Sequence, residues 1–222
     1  MPAEVHECID SWKKHMPDWE YMLWNEDSFN VRSNNFAKEA YDAGKYAFVS
    51  DYARLHALKE YGGIYFDTDV KVFKSFAPLL DNKAFAGFEG SKHIPVGTCV
   101  LGSVKNGRWV TDLLDLYDTR HFIKPDGGYD TTTNVEMVTE KLITSGLKCD
   151  DNEQEVAGVH IYPTDFFSPR HTTGEYIVTD NTFSDHLGLC SWNGPRRMPL
   201  LLRLVGQKNS IRIIKLKRLI FG

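Results

Sequence analysis

Apolar positions recur at helical spacing from Ala3 to about His15, with Val5, Cys8, Ile9, Trp12 and Met16 on one side and Pro17 ending the run. Trp19 to Trp24 alternates like a strand and closes in Asn25-Glu26-Asp27. The pattern then predicts a helix from Phe36 to Val49 that leads into a second helix from Asp51 to Tyr61, with Ser50 as N-cap and Gly62-Gly63 as the stop. Ile64-Tyr65-Phe66 reads as a strand, Asp67-Thr68-Asp69 interrupts it, and strand-like alternation resumes at Val70. Further on come a helical turn at Phe76–Leu80, strands at Ala84–Phe88 and Cys99–Ser103, and a helix over Gly107–Tyr117. A helix opening after Thr131–Asn134, a strand at Val159–Pro163 and a helix-prone tail from Pro195 to Gly222 complete the pattern. Helices and strands interleave throughout, which is the pattern of an α/β fold.

One helix breaks its own pattern. Winding Asp51–Tyr61 at about 100° per residue sends His56, Lys59 and Glu60 to one side and Leu55, Leu58 and Tyr61 to the other. Asp51 and Arg54, three apart, fall among the leucines. Charges on a buried arc need partners. They form a structural ion pair, or they face a pocket and hold a polar ligand.

The next residues favour the pocket. Asp67 and Asp69 lie two apart at the end of an apolar strand and so project to the same side. Two carboxylates that close repel unless a cation sits between them, and oxygen ligation suits Mg²⁺ or Mn²⁺ with room left for phosphates. An isolated Asp-x-Asp is common in surface turns. One that ends a strand just behind an out-of-place Asp/Arg pair is more specific.

The string Ser50-Asp51-Tyr52-Ala53-Arg54, with Leu58 and Gly62-Gly63-Ile64-Tyr65-Phe66-Asp67-Thr68-Asp69-Val70, resembles the signature of glycosyltransferases carrying the DXD sugar-binding motif. This family 32-like group includes capsular polysaccharide transferases and initiating mannosyltransferases. The resemblance implies a GT-A-like single domain with a Rossmann-type mixed sheet over residues 1–194, its first strand missing because the chain starts after it. It implies a hexosyltransferase that moves a sugar, with retention of configuration, from a UDP- or GDP-linked donor to a glycan or lipid-linked acceptor. Asp51 and Arg54 would contact donor sugar and diphosphate. Asp67 and Asp69 would engage ribose or sugar and a Mn²⁺ or Mg²⁺ ion. His186, in a His-x4-Ser-Trp string, would bind metal or diphosphate, and its imidazole tilts the choice to manganese. Ser191 and Trp192 would lie over the phosphates, and Asp185 departs from the family pattern.

Composition changes this picture mainly at the C-terminus. The chain of 222 residues carries a net charge of −4, yet no acidic residue follows Asp185 and eight basic ones lie between Arg196 and Arg218. Residues 195–222 therefore read as basic amphipathic helices that rest on an anionic membrane surface or pack on the domain. The rest of the chain is acidic, which argues against nucleic acid. The four cysteines are widely spaced and show no zinc or disulfide pattern, and no apolar run spans a bilayer. A cytoplasmic enzyme, peripheral on the inner membrane face, is the expectation. Tyr46 and Phe48 read as core residues, Thr131–Asn134 as helix caps ahead of a phosphate contact, and His160 as structural. Two other classes share the motif: a haloacid-dehalogenase-like phosphatase with Asp67 as nucleophile, and an inactive sugar-nucleotide-binding remnant.

Overall fold

Val5, Cys8 and Trp12 bury one face of helix α1 (Ala3–His15). The computed structural model describes residues 2–90, 94–170, 175–189 and 213–216. Strand β1 (Glu20–Leu23) follows, then helix α2 (Asn35–Asp42), capped by the Asn34 side chain accepting from the Ala37 amide. Here the local pattern needs correction. Helix α2 stops at Asp42, Gly44 turns the chain with φ of 68°, and helix α3 runs over Tyr46–Tyr61. Ser50 is therefore not a cap. It sits inside α3, with its hydroxyl donating to the Tyr46 carbonyl at 3.1 Å. The earlier start is favoured by packing, since Tyr46 meets Tyr41 and Phe48 meets Phe122.

Helix α3 ends at Gly62, φ 68°, where a Cβ would come within 2.4 Å of the Lys105 amide nitrogen. Only glycine fits both the left-handed backbone and the close approach. The turn feeds β2 (Gly63–Phe66) into a seven-stranded sheet of order β1-β9-β2-β5-β4-β7-β6. The remaining strands are β4 (Ala84–Phe88), β5 (Val96–Ser103), β6 (Gln154–Val156), β7 (Val159–Tyr162) and β9 (Ile213–Leu216). A separate pair is formed by β3 (Val70–Val72) and β8 (Ser184–His186).

The sheet is mixed but mostly antiparallel, which corrects the Rossmann-type expectation. The parallel pair is β4 with β7. The link from β4 to β5 is short, as an antiparallel partner allows, whereas β7 returns to β4 only after helices α4 (Arg108–Asp115) and α5 (Asn134–Ile143) have been crossed.

Period-two alternation splits the core across the sheet. Tyr65, Leu101, Ala86 and Ile161 face the side covered by α2–α5, while Ile64, Phe66, Val100 and Phe85 face α1, the β3/β8 pair and a short helix α6 (Thr164–Phe167).

The C-terminal expectation also changes. Residues 213–216, read as part of a helical tail, form β9 between β1 and β2, antiparallel to both. Two adjacent β-branched isoleucines favour a strand, and insertion there pairs the backbone edges of both neighbours. The rest of 195–222 lies outside the described residues. Among the described residues no helix is long and apolar enough to cross a membrane.

Candidate active site

The apolar strand β2 delivers two carboxylates at its end. Phe66 pairs with Val100, and the Asp67 amide extends the ladder by donating to the Cys99 carbonyl at 2.8 Å. The Asp67 carbonyl then accepts from the Val70 amide at 3.0 Å, closing a turn that carries Thr68 and Asp69. Strand β3 pairs with β8 so that Val70 faces His186. One potential ligand atom from each of Asp67, Asp69 and His186 lies within 4.8 Å of the others. His186 Nε2 is 3.5 Å from Asp69 Oδ1, and Asp69 Oδ2 accepts from the Leu189 amide at 2.9 Å. The donor set of two carboxylates and an imidazole fits a divalent metal ion.

The out-of-place pair on α3 reaches the same corner. Arg54 is only 3% exposed and Asp51 8%. Arg54 Nη2 lies 3.2 Å from Asp51 Oδ1 and 3.5 Å from Asp67 Oδ1. Its Nη1 donates to the Thr98 carbonyl and hydroxyl at 3.1 and 2.6 Å, and Nε to the Ser50 carbonyl at 3.3 Å. The guanidinium also covers the Tyr65 ring at 4.8 Å, and the Tyr65 hydroxyl donates to Asp67 Oδ1. Arg54 thus spends its donors on the protein and holds two carboxylates in place. Asp51 Oδ2 accepts from the Asn134 amide at 3.1 Å, so the N-terminus of α5 points at this carboxylate. Thr133 caps that helix in a capping box with Glu136, so the cap reading of this stretch holds.

Two further groups complete the corner, and neither is singled out by sequence. Glu89 follows β4 and bonds His186 Nδ1 through Oε1, while Cys99 lies on β5 beside the same imidazole. Burial opposes charge on His186, but Cys99 and Glu89 together with the hydrogen bond to Asp69 raise its pKa well above the ordinary value. Burial also pushes the Cys99 thiol up. Glu89 follows an apolar strand just as Asp67 does, but that position alone does not say which groups lie beside it. Asp185 turns away to a bidentate pair with Arg170 at 2.7 and 2.6 Å, which accounts for it structurally. His160 bonds Glu153 at the domain edge, in keeping with its structural reading. Ser191 and Trp192 lie outside the described residues.

A mixed α/β domain with paired carboxylates, a histidine and a buried arginine at a strand end is a site of the kind that handles charged, phosphate-bearing substrates. Residues 2–86 match the family described as glycosyltransferase sugar-binding region containing DXD motif. That match spans Asp51, Arg54, Asp67 and Asp69 and stops short of Glu89, Cys99 and His186, and it supports a sugar-transfer enzyme. No curated protein and no solved structure matches the chain.

Proposed function

We propose that the protein is a metal-dependent glycosyltransferase of GT-A type that moves a hexosyl group from a UDP- or GDP-sugar to a glycan or lipid-linked acceptor in polysaccharide synthesis. The observation that carries this reading is the convergence of Asp67, Asp69 and His186 beside the Asp51/Arg54 pair. Asp67, Asp69 and His186 would hold Mn²⁺ or Mg²⁺. When bound, such an ion neutralises charge on the leaving diphosphate.

The chain's own residues set the geometry. Arg54 acts as a positioning residue, fixing the carboxylates of Asp51 and Asp67 from behind. Asp51 orients donor hydroxyls, with Oδ2 steadied by the Asn134 amide. Ser191 and Trp192 would cover the phosphates. In the transfer, the bond from the anomeric carbon to the diphosphate oxygen breaks and one to the acceptor oxygen forms. The acceptor proton passes to the departing diphosphate. Attack on the face that the diphosphate leaves retains configuration. The contacts around Asp67 lend no support to the phosphatase reading. Residues 1–194 together with β9 would form the catalytic domain, and the other basic residues of 195–222 would rest on the inner, cytoplasmic membrane face.

Calorimetric titration of the full chain with UDP- and GDP-sugars, with and without Mn²⁺, tests this. Binding of one nucleotide class that depends on Mn²⁺ is expected. Failure of every nucleotide-sugar to bind in saturating Mn²⁺ would overturn it.

A further inference from the structure

The side chains behind the aspartate pair are of a different chemical kind. One potential ligand atom from each of Glu89, Cys99 and His186 lies within 4.8 Å of the others. They arrive from the ends of β4 and β8 and from the middle of β5. Gly97 makes the approach possible: a Cβ there would stand 2.6 Å from a Glu89 carboxylate oxygen and 2.8 Å from the Glu89 Cβ. A larger residue would force the Glu89 side chain to shift. Cys99 Sγ has Ser168 Oγ at 3.5 Å and shares a side-chain hydrogen bond with His186, while Glu89 and His186 remain partly open to solvent.

The simplest account makes Glu89 an orienter of the imidazole and Cys99 a packed thiol. The orienting bond is present and the thiol is hydrogen-bonded to the imidazole, but neither bond accounts for a carboxylate, a thiol and an imidazole that bring one potential ligand atom each within 4.8 Å of one another. A thiolate, an imidazole and a carboxylate with a fourth position open form a set suited to a borderline ion such as Zn²⁺. The aspartate pair, by contrast, presents hard oxygen.

The geometry points to a second cation position, formed by Glu89, Cys99 and His186, that takes a thiophilic divalent ion such as Zn²⁺ and shares His186 with the Asp67/Asp69 position. On binding, the S–H bond of Cys99 breaks, the sulfur–metal bond forms and the proton leaves to solvent. An ion held there draws on the imidazole that the aspartate position also uses. Zn²⁺ therefore competes with Mn²⁺, and Cys99 sets the metal selectivity of the site. The competition rests on the proposed function, whereas the ion position itself does not.

The test uses the full chain, stripped with a chelator and titrated with Co²⁺, whose bond to a thiolate gives a charge-transfer absorption. One equivalent of that band is expected, displaced by Zn²⁺, retained in Asp69→Asn and lost in Cys99→Ser. Because Cys99 packs in the core, Glu89→Ala serves as a second variant, with Co²⁺ affinity expected to fall by about tenfold or more. Absence of the band at saturating Co²⁺, its survival in Cys99→Ser, or unchanged affinity in Glu89→Ala would overturn the assignment. The band reports the thiolate whether or not sugar is transferred, so a chain that shows it but binds no nucleotide-sugar refutes only the transferase reading.

Discussion

Arg120 and Arg54 both meet aspartates inside the fold, and they do so on different terms. Arg120 pairs with a single carboxylate, Asp130, at 2.6 Å, donates to the Thr132 carbonyl at 2.7 Å, and lies over the Phe36 and Tyr117 rings. Its partners come largely from one loop, and one positive charge meets one negative charge. Arg54 faces two carboxylates at 3.2 and 3.5 Å, with Asp69, Glu89 and His186 close behind. Those groups come from α3, the β2–β3 turn, β4 and β8. The first pair is balanced and local, so it needs nothing further. The second corner gathers more negative charge than its arginine can offset, and that surplus is what a cation and a phosphate-bearing ligand would use.

The sharpest break in the comparison comes from Asp69→Asn. The amide keeps an oxygen for the Leu189 amide, so the fold should persist by circular dichroism, while metal-dependent transfer should fall by at least about 10³-fold, or roughly 4 kcal/mol of transition-state stabilisation. Full activity would dissolve the functional half of the contrast. Arg54→Ala comes close behind. It strands Asp51 and Asp67 as buried charges, and urea unfolding should show a loss of about 3–5 kcal/mol. A loss below about 1 kcal/mol would mean that Arg54 is no more embedded than an ordinary surface pair.

The smallest effect belongs to the balanced pair. The Asp130 carboxyl pays for burial, but bonds from Arg120 and Thr132 hold its pKa down at about 2 against an ordinary value of 3.8. A depressed carboxylate stabilises the fold above its unfolded pKa, and that stability is lost as pH falls from about 4 toward about 2. After solvent screening the contribution is about 1 kcal/mol. Wild type and Asp130→Asn should therefore differ by that amount in urea unfolding at pH 7 and converge near pH 2. A constant difference across this range would show that the loss is one of packing.

Much of the corner is legible in the sequence. Asp67 and Asp69 stand out because they end an apolar strand, and Asp51 and Arg54 because they occupy a leucine face; all four converge. His186 was visible only through its resemblance to a family string, and it does reach Asp69. Glu89 and Cys99 can be placed at the end of a strand and on a strand from sequence but take no chemical role there. A glutamate at a strand end and a lone cysteine in an apolar run carry no local signal of their neighbours, and the pairing of β4, β5 and β8 is long-range. The helix starting at Tyr46 and the strand at Ile213–Leu216 depart from the local pattern for a related reason: packing of Tyr46 and Phe48 in the first case, and pairing with β1 and β2 in the second, outweigh local cap and period preferences.

The amino-acid order by itself determined the α/β character, the glycine stop at Gly62 and which charged residues had to be buried, because periodicity, steric freedom and the cost of unpaired charge act between near neighbours. Only the tertiary structure decided that the sheet is mostly antiparallel, that Arg54 is turned inward to two carboxylates, and that Glu89 and Cys99 share an imidazole with Asp69. Those outcomes depend on strand order and on side chains distant in sequence, whose mutual distances appear only once the chain has closed.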